Sequence, residues 1–375
     1  MKNNRTFLEK LLDGSEVEWK PLDEVANIVN NARKPVKSSL RVSGNIPYYG
    51  ANNIQDYVEG YTHEGEFVLI AEDGSASLEN YSIQWAVGKF WANNHVHVVN
   101  GKEKLNNRFL YHYLTNMNFI PFLAGKERAK LTKAKLQQIP IPIPPLSVQT
   151  EIVKILDALT ALTSELTSEL ILRQKQYEYY REKLLSEEEL GKVGFEWKPL
   201  GEVTNIKTGQ AVSKYSISQN PGIYPVINSG REPLGFINEW NTENDPIGIT
   251  TRGAGVGSIT WQEGKYFRGN LNYSVTVKSD YKLNIRFLYH ILLHFQKEIH
   301  NLCSFTGIPA LNASELKKLE ISIPAIEEQQ RIVSILDKFE TLTNSITEGL
   351  PLAIEQSQKR YEYYRELLLN FPGRE

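Results

Sequence analysis

The sequence has little cysteine and no large excess of charge of either sign. Among its 375 residues Cys303 is the single cysteine, which excludes an internal disulfide and a zinc site built from several cysteines. This composition is typical of proteins from a reducing cytosol. The formal net charge is only -2 at pH 7, so the overall composition does not indicate a polyanionic partner. Charge can still be concentrated locally, so the overall composition does not exclude a local basic surface.

Long apolar runs are also absent. No uncharged run approaches the roughly 18 residues that a membrane span needs. Lys10 and Asp13 interrupt the N-terminal segment where a signal peptide would be apolar. We therefore expect a cytoplasmic protein with no membrane partner. The chain instead has a globular composition, 41% apolar and 23% charged, at a length that suggests two domains.

The chain is an internal duplication. The segment Glu-Trp-Lys-Pro-Leu begins at Glu18 and again at Glu196, and Leu-Asn-x-Arg-Phe-Leu-Tyr-His begins at Leu105 and again at Leu283, both 178 residues later. Ordered matches at one nearly constant offset indicate a tandem repeat that fills the chain, not a short solenoid period. Two further repeated segments, Ile-Val-x-Ile-Leu-Asp and Tyr-Glu-Tyr-Tyr-Arg-Glu, begin at Ile152 and Ile332 and at Tyr177 and Tyr361.

The first part of each copy predicts a globular α+β domain with a curled sheet. It is rich in Gly, Asn, Tyr and Trp, and turn signals such as Asp73-Gly74 separate short apolar runs. A helix is expected from Asn106 to about Asn118, and its equivalent from Asn284 to about His300. The predicted strands include Phe67–Ala71, Val96–Val99, Ile247–Thr250 and Tyr273–Val277.

The second part of each copy predicts a long amphipathic helix. In the first copy, apolar residues recur at intervals of three and four from about Ser147 to Leu185, without Gly or Pro, which is coiled-coil spacing. A helix of about 38 residues is about 57 Å long. In the second copy Gly349 and Pro351 interrupt the pattern, so a kink or a break is expected there.

We expect the two helices to pack on each other as an antiparallel coiled coil, with two helices packed separately on their own domains as the alternative. The predicted fold is therefore two similar α+β domains, residues 1–145 and 191–325, separated by helical spacers 146–190 and 326–375. The predicted facing stripes are Ile152, Ile155, Leu159, Leu162 and Leu166 against Ile332, Ile335, Phe339, Leu342 and Ile346.

Motifs for catalysis are weak. The glycines from Gly253 to Gly257 have the spacing of a nucleotide loop, but a strand-like segment follows where a helix N-terminus is needed, so we predict a tight turn. Asp245, Glu263 and Lys265 are residue types of a metal-dependent nuclease, yet the first copy has no acid at the place of Glu263. The histidines show no metal-ligand spacing. We expect no catalytic residue and no metal site.

Binding residues are better supported. Five cations and one acid lie within ten residues from Lys126 to Lys135, and such a cluster can neutralise backbone phosphates; a solvated charged loop is the alternative. Other loops, 47–53, 225–231 and 250–253, carry Tyr, Asn and Arg, which reach sugars and base edges. Their side chains differ between the copies while the flanking frames match, which favours recognition of two different targets. The predicted nucleic-acid contacts are Tyr48, Tyr49, Asn52, Asn53, Lys126, Arg128, Lys130, Lys133, Asn228, Ser229, Arg231, Thr251, Arg252 and Thr306.

The chain resembles the specificity subunit of a type I restriction-modification system over nearly its whole length. The match rests on the repeated segments at Glu18 and Leu105, on the loop from Pro47 to Asn53, and on the Pro-rich strands that lead into Gln149-x-Glu-Ile-Val and Gln329-Gln-Arg-Ile-Val. The second loop departs from the pattern because it lacks a glycine at the place of Gly50.

The resemblance implies a non-catalytic subunit whose two target-recognition domains each bind one half of a bipartite double-stranded DNA site. It also implies two modification (methyltransferase) subunits docked on the helices and restriction/translocase subunits in the full complex. S-adenosylmethionine, ATP and Mg²⁺ would belong to those partners, and no cofactor to this chain. A nuclease or methyltransferase with fused recognition domains, or a scaffold that does not bind DNA, are the alternatives. Tyr and Arg are enriched at binding hot spots, so the predicted partner contacts are Tyr177, Tyr180, Arg181, Tyr361, Tyr364 and Arg365.

Overall fold

The two halves of the repeat give two units of mixed strands and helices in the computed structural model, which describes residues 6–125, 129–230 and 232–373. Unit 1 comprises Met1–Thr167 and Ala353–Glu375, and unit 2 comprises Ser168–Leu352. The α+β composition predicted for each copy is confirmed. The units divide the chain within its helices, whereas the predicted boundaries fall at the helix starts; those boundaries stay a prediction.

Unit 1 is built on a six-stranded sheet with strand order β2-β7-β5-β6-β3-β4, beside a two-stranded β1-β8 pair. Strands β3 and β6 pair in parallel and the other neighbours are antiparallel. The elements before the spacer are α1 (Phe7–Leu12), β1 (Glu18–Pro21), α2 (Leu22–Val25), β2 (Ala26–Ile28), β3 (Ser43–Tyr49), β4 (Ile54–Val58), β5 (His63–Ala71), β6 (Ile83–Ala92), β7 (Val96–Gly101), α3 (Asn107–Thr115), α4 (Lys133–Gln137) and β8 (Pro140–Ile143).

Unit 2 repeats this order, but the counterpart of β4 is shorter and the counterparts of β5 and β6 are each divided in two. Its sheets run β10-β17-β14-β15, β12-β11-β16-β13 and β18-β9. Its elements are α6 (Glu187–Gly191), β9 (Phe195–Pro199), α7 (Leu200–Val203), β10 (Thr204–Thr208), α8 (Lys214–Gln219), β11 (Pro221–Ile227), β12 (Phe236–Ile237), β13 (Thr242–Glu243), β14 (Ile247–Thr250), β15 (Ile259–Trp261), β16 (Lys265–Arg268), β17 (Asn272–Val277), α9 (Ile285–His294), α10 (Gln296–Asn301), α11 (Ala313–Leu316) and β18 (Glu320–Pro324).

The large sheet of unit 1 is split in unit 2 because its two longest strands are interrupted. Strand β5 corresponds to β13 and β14, which are separated by Asn244 at a φ of 54° and by Pro246. Proline cannot donate a ladder hydrogen bond, so Pro246 interrupts the pairing there. Strand β6 likewise corresponds to β15 and β16, which are separated by residues 262–264. Gly264 has a φ of 72°, but its equivalent Gly88 has a φ of 78° inside the continuous β6, so this backbone conformation alone does not divide the strand.

The helices of the repeated domains are capped by their own sequence. Asn106 accepts hydrogen bonds from the backbone N–H groups of Arg108 and Phe109, at 2.8 and 3.0 Å, and Asn284 caps α9 in the same way. An N-cap asparagine satisfies donors that have no partner inside the helix. The predicted single helix from Asn284 to His300 is in fact two, α9 and α10, because Phe295 leaves helical geometry with a ψ of 19°.

The spacer helices are α5 (Leu146–Leu184), α12 (Ile326–Asn344) and α13 (Leu350–Leu369). The continuous first helix is confirmed at 39 residues. The break in the second copy is also confirmed, and it lies before Pro351, which sits in the first turn of α13 where proline is tolerated. None of the helices in the described ranges is long and apolar enough to span a membrane.

Within each unit the helices run antiparallel, but the predicted facing stripes are wrong. In unit 1 the first half of α5 lies with α13, where Thr163 and Ser357 share a hydrogen bond of 2.8 Å. In unit 2 the second half of α5 lies with α12, where the Tyr180 ring stacks on Phe339 with centroids 5.5 Å apart. The antiparallel orientation was expected, but the register differs, because α12 lies beside the second half of α5 whereas the predicted stripe of α5 lies in its first half. Instead Ile152 and Leu156 are buried in the core of unit 1, and Ile332 and Leu336 in that of unit 2.

Candidate functional site

In unit 1 the predicted binding loops meet at one end of the sheet. Asn52 donates a hydrogen bond of 2.8 Å to the carbonyl of Gly74 and accepts one of 2.8 Å from the backbone of Ala76. Asp73 and Lys130 form an isolated antiparallel β-bridge. Lys130 and Ala124 also form two backbone hydrogen bonds with each other, both of 2.8 Å. Residues 50–53, 72–76, 124–125 and 129–130 thus form one surface, named loop cluster 1.

The equivalent loops of unit 2 meet in the same way. Arg252 and Ala310 form an isolated antiparallel β-bridge, and the backbone N–H of Gly253 donates a hydrogen bond of 3.0 Å to the carbonyl of Pro309. A Cβ at Gly255 would lie 3.0 Å from the carbonyl oxygen of Ser229, so these two backbones approach closely. Residues 228–230, 251–257 and 304–310 therefore form loop cluster 2, which corresponds to loop cluster 1 on the repeated frame.

The two predicted tyrosines that directly precede loop cluster 1, at the end of β3, are packed inside the unit. Tyr48 is buried, its hydroxyl accepts a hydrogen bond of 3.0 Å from the backbone of Val36, and its position gives no support to a DNA contact. Tyr49 is half-buried and packs edge-on against Phe90, with ring centroids 5.8 Å apart; burial raises the pKa of its hydroxyl. Asn52 uses both ends of its amide to hold the neighbouring loop, and Asn53 is exposed.

The predicted phosphate-binding lysines differ in their surroundings. Lys130 lies 2.9 Å from a carboxylate oxygen of Glu72, and the hydrogen bond and charge of Glu72 raise the pKa of Lys130. Glu72 also pairs with Arg33 at 2.7 Å, so Glu72 holds two cations. Lys133 is exposed at the start of α4. The predicted contacts Lys126, Arg128 and Arg231 lie outside the described residues.

In loop cluster 2 the predicted residues divide into buried and accessible ones. Asn228 is buried, and its amide oxygen accepts a hydrogen bond of 2.9 Å from the backbone of Leu271. Thr251 is buried as well. Arg252 and Thr306 are exposed and Ser229 is half-buried. The accessible groups are therefore a guanidinium and two hydroxyls, accompanied by the exposed apolar side chains of Phe305 and Ile308.

The repeated tyrosines at the helix ends have a structural role. Tyr177 is buried in unit 2 with its hydroxyl 3.3 Å from a ring nitrogen of His290, and burial raises its pKa to about 12. Its counterpart Tyr361 packs with Tyr364 against the core of unit 1. Arg181 and Arg365 lie over the rings of Tyr177 and Tyr361, both at 5.5 Å. The predicted partner contacts thus fasten each helix end to a domain, and their partner role stays a prediction.

The sequence interpretation missed the exposed tyrosine in each of these segments. Tyr179 and Tyr363 are 59% and 62% exposed, and they are equivalent positions of the repeat. An exposed aromatic side chain at the same place in both copies is available to a partner surface, unlike Tyr177. Helical periodicity could have separated the inward-facing from the outward-facing tyrosines.

A repeated ionic hub, also missed, anchors each spacer helix to its domain. Asp157 lies 2.9 Å from the side chain of Arg108 and 2.8 Å from that of His112. In unit 2 Asp337 lies 2.7 Å from Arg286 and 2.8 Å from His290. All six residues belong to repeated segments of the sequence, so the duplication itself carried this signal. Burial is the largest influence on His112 and lowers its pKa, although Asp157 acts in the opposite direction.

The hub of unit 2 has an additional carboxylate. Glu340 also binds the guanidinium of Arg286, and His290, Asp337 and Glu340 bring their ligand atoms within 4.8 Å of one another. Such a grouping has the donor types of a metal site. Because the guanidinium of Arg286 already pairs with both carboxylates, we interpret the grouping as an ion-pair hub.

Comparison with known proteins agrees with this organisation. The profile of the family described as "Type I restriction modification DNA specificity domain" matches residues 14–173 and 192–356. A putative type I restriction enzyme specificity subunit of Haemophilus influenzae is 67% identical, with 99% of this chain and 100% of that protein covered. The specificity subunit of the type I restriction enzyme EcoR124I/EcoR124II of Escherichia coli is 34% identical, with 98% and 97% covered.

A solved structure shows the same fold. The S subunit of a type I restriction-modification system from M. genitalium aligns with a TM-score of 0.67 at 18% identity, covering 100% of this chain and 99% of that one. The sequence matches extend over both copies of the repeat, including the helices that follow each domain. The chain therefore belongs to the family of type I restriction-modification specificity subunits, whose role is DNA sequence recognition rather than catalysis.

Proposed function

We propose that the chain recognises an asymmetric, bipartite DNA site, with one unit on each half-site, and directs adenine methylation or cleavage by partner subunits. The observation that carries this proposal is the pair of corresponding loop clusters with different side chains. Loop cluster 1 presents Asn53 and a lysine-containing loop, whereas loop cluster 2 presents Arg252, Thr306 and two apolar side chains. Because base edges are distinguished by the pattern of donors, acceptors and methyl groups, different loop chemistry favours different half-sites.

The division of roles in and directly beside each loop cluster follows from the chemistry of the accessible groups. Lys133 carries a compact positive charge, which suits a phosphate oxygen and fixes the position of the duplex. Arg252 and Asn53 can form two hydrogen bonds to one base, and Phe305 can contact a thymine methyl group. We therefore assign positioning to the lysines and base discrimination to the exposed Asn, Arg and apolar side chains.

The helices are proposed to dock two modification subunits, to which restriction/translocase subunits are added in the complete enzyme. The repeated Tyr-Glu-Tyr-Tyr-Arg-Glu segments support this because the copies are identical in sequence, whereas the loops diverge. Identical surfaces suit two copies of one partner. S-adenosylmethionine, ATP and Mg²⁺ are assigned to those partners, and the proposed location of the complex is the cytoplasm.

A reciprocal exchange of segments tests the bipartite proposal. Replacing residues 207–310, which contain all of loop cluster 2, by the equivalent segment of a relative with another specificity should change one half-site only. The matched exchange of residues 27–130 should change the other half-site only. The recognised sites are read by sequencing methylated adenines in cells that carry the intact system. A change in both halves, or in neither, would contradict the assignment of one half-site to each unit.

A further inference from the structure

Each unit contains a long segment without acidic residues at the same place in the repeat. Val25–Gln55 and Val203–Arg231 hold no Asp or Glu, although 44 acidic residues among 375 would place three or four in each. The same segments contain several basic residues. They are Arg33, Lys34, Lys37 and Arg41 in the first copy, and Lys207, Lys214 and Arg231 in the second.

In unit 1 two of these cations stabilise the fold and two remain available. Arg33 pairs with Glu72, and Arg41 lies 4.1 Å from the ring centroid of Tyr48 and donates to the carbonyl of Val36 at 3.1 Å. Lys34 and Lys37 are exposed and form no ion pair within the described part of the chain. They line an open cleft of about 700 Å³, which also has one acidic side chain, Glu59, on its wall.

The wall of this cleft continues into an exposed lysine and tyrosine. Trp91 lines the cleft and donates a hydrogen bond of 2.7 Å to the carbonyl of Lys34. Lys89 precedes Trp91 by two residues on β6, so both side chains lie on one face of the strand. The ammonium of Lys89 lies 4.7 Å from the ring centroid of Tyr61, which is 48% exposed. A cation over an exposed ring is a weak contact that a stronger anion can replace.

Unit 2 repeats this arrangement with a different aromatic residue. The backbone N–H of Thr62 donates a hydrogen bond of 3.0 Å to the carbonyl of Phe90. The backbone N–H of Asn241 donates the equivalent hydrogen bond of 3.2 Å to the carbonyl of Tyr266. Trp240 is therefore equivalent to Tyr61, and Lys265 to Lys89. Trp240 is 42% exposed, and the ammonium of Lys265 lies 4.5 Å from its ring centroid.

The acid-free segment of unit 2 also packs beside this pair. Phe267 follows Lys265 by two residues, as Trp91 follows Lys89, and it belongs to the small buried cluster against which Val212 and Ile217 of the segment pack. Lys214 lies between those two residues and is exposed at the start of α8. In both units an exposed lysine of the acid-free segment is therefore close in the fold to a strand whose own lysine lies over an exposed aromatic ring. These lysines are Lys37 and Lys89 in unit 1, and Lys214 and Lys265 in unit 2.

Acidic neighbours do not cancel this charge. Glu243 lies 3.9 Å from Lys265, and Glu64 is opposite Lys89 in the strand register. Exposed ion pairs of this kind are weak and screened by salt. Lys34, Lys37 and Lys214 form no ion pair in the described ranges, although Glu59 lines the same cleft as Lys34 and Lys37. Three lysines against Glu59 and Glu64 in unit 1, and two lysines against Glu243 in unit 2, leave an excess of one positive charge on each surface.

We propose that this surface, named the lysine face, is a second DNA-contacting surface of each unit. It comprises Lys34, Lys37, Tyr61 and Lys89 in unit 1 and Lys214, Trp240 and Lys265 in unit 2. The lysines bind backbone phosphates, and the exposed ring lies against a deoxyribose or a base. This inference rests on the proposed function and assigns it a positioning surface in addition to the loop clusters. Charge complementarity and the repetition in both units favour DNA as the occupant.

Paired lysine substitutions in the full complex with its partner subunits test the proposal. The variants are Lys37→Ala/Lys89→Ala in unit 1 and Lys214→Ala/Lys265→Ala in unit 2. Each should lower the slope of log affinity against log salt concentration by about 1.8, since each lost phosphate contact contributes about 0.9. The affinity advantage of the unchanged complex should then shrink about tenfold between roughly 50 and 200 mM salt. The base preference should stay the same because phosphate contacts do not discriminate bases.

Two further variants make the outcome specific. Lys192→Ala/Lys318→Ala removes two exposed lysines that pair with nearby glutamates, and it should leave the slope unchanged. Lys37→Arg/Lys89→Arg keeps both charges and should restore the slope. If the alanine variants show the slope of the unchanged complex, the lysine face does not bind DNA. If they lose a partner subunit while DNA binding per complex is intact, the face binds protein and the proposal is overturned. If the unchanged complex binds no DNA, the proposed function itself fails.

Discussion

The repeated buried glutamines provide a sharp test of how the helices are attached to the domains. The amide oxygen of Gln149 accepts a hydrogen bond of 2.9 Å from the backbone of Asn106, and its amide nitrogen donates to the carbonyls of Lys104 and Pro144 at 2.9 and 2.8 Å. Gln329 makes the equivalent bonds to Asn284, Lys282 and Pro324. Both side chains are fully buried. Each one joins the first turn of a spacer helix to the loop and strand that precede it.

Replacing either glutamine by leucine keeps a similar volume but removes all three bonds. One backbone N–H and two carbonyls lose their partner, and each buried polar group left unsatisfied costs about 1–3 kcal/mol. Because Lys104 and Lys282 are exposed, water can reach part of the site, so we expect a loss of about 3–5 kcal/mol in the free energy of unfolding. This is a large fraction of the total stability of a typical domain, about 5–15 kcal/mol.

Urea unfolding followed by hydrogen exchange and mass spectrometry assigns the loss to a unit. Gln149→Leu should weaken the protection of unit 1 and Gln329→Leu that of unit 2, by similar amounts. Gln174→Leu, at an exposed position of α5, is the matched control and should change stability by less than about 0.5 kcal/mol. A loss below about 1 kcal/mol for both buried glutamines would refute the argument from unsatisfied groups, as would a loss of protection in the wrong unit.

Two further predictions concern the acid stability of unit 2 and the length of the spacer. Burial opposes the charged form of Asp337, but hydrogen bonds from His290 and Arg286 outweigh it and hold the pKa of Asp337 below its usual value. A lowered pKa in the folded state stabilises the protein above the unfolded pKa of about 3.9, and the stabilisation is lost as the pH falls through the folded value. Urea unfolding between about pH 6 and pH 3 should therefore show a steeper acid loss for the unchanged protein than for Asp337→Asn, and equal slopes would argue against the hub. Four residues inserted after Leu162 should lengthen the helix by about 6 Å. The spacer between the two recognised half-sites should then grow by about two base pairs, at about 3.4 Å each. If the distance between the methylated adenines is unchanged in an intact complex, the helix length does not set the spacer length.

Much of the fold could be predicted from local patterns in the sequence. The segment without Gly or Pro from Ser147 to Leu185 became the single helix α5, because uninterrupted helical periodicity depends on neighbouring residues only. The glycines Gly253 and Gly257 adopt positive φ values of 94° and 77° in a turn, as their spacing and the following strand predicted. The break before Pro351 followed from Gly349, whose φ is 89°.

The site residues were harder to predict, because burial depends on distant parts of the chain. Tyr48 and Asn228 looked like accessible loop residues, yet one supports Val36 and the other Leu271. The repeated Tyr177 and Tyr361 looked like a partner surface, whereas they pack on α9 and on the core of unit 1. Aromatic and amide side chains serve equally well in recognition and in packing, so residue type alone does not separate the two roles.

The sequence by itself determined the duplication, the helix and strand types, and the chemical difference between the loops of the two copies. These features depend on residue identity and on spacing along the chain. The tertiary structure alone decided which loops meet, which half of α5 lies with α12 or with α13, and how Lys89 and Lys265 come to cover equivalent exposed rings. Those outcomes depend on contacts between residues far apart in sequence, where many pairings satisfy the same apolar pattern. Packing geometry and the hydrogen-bonding needs of buried groups select one of them.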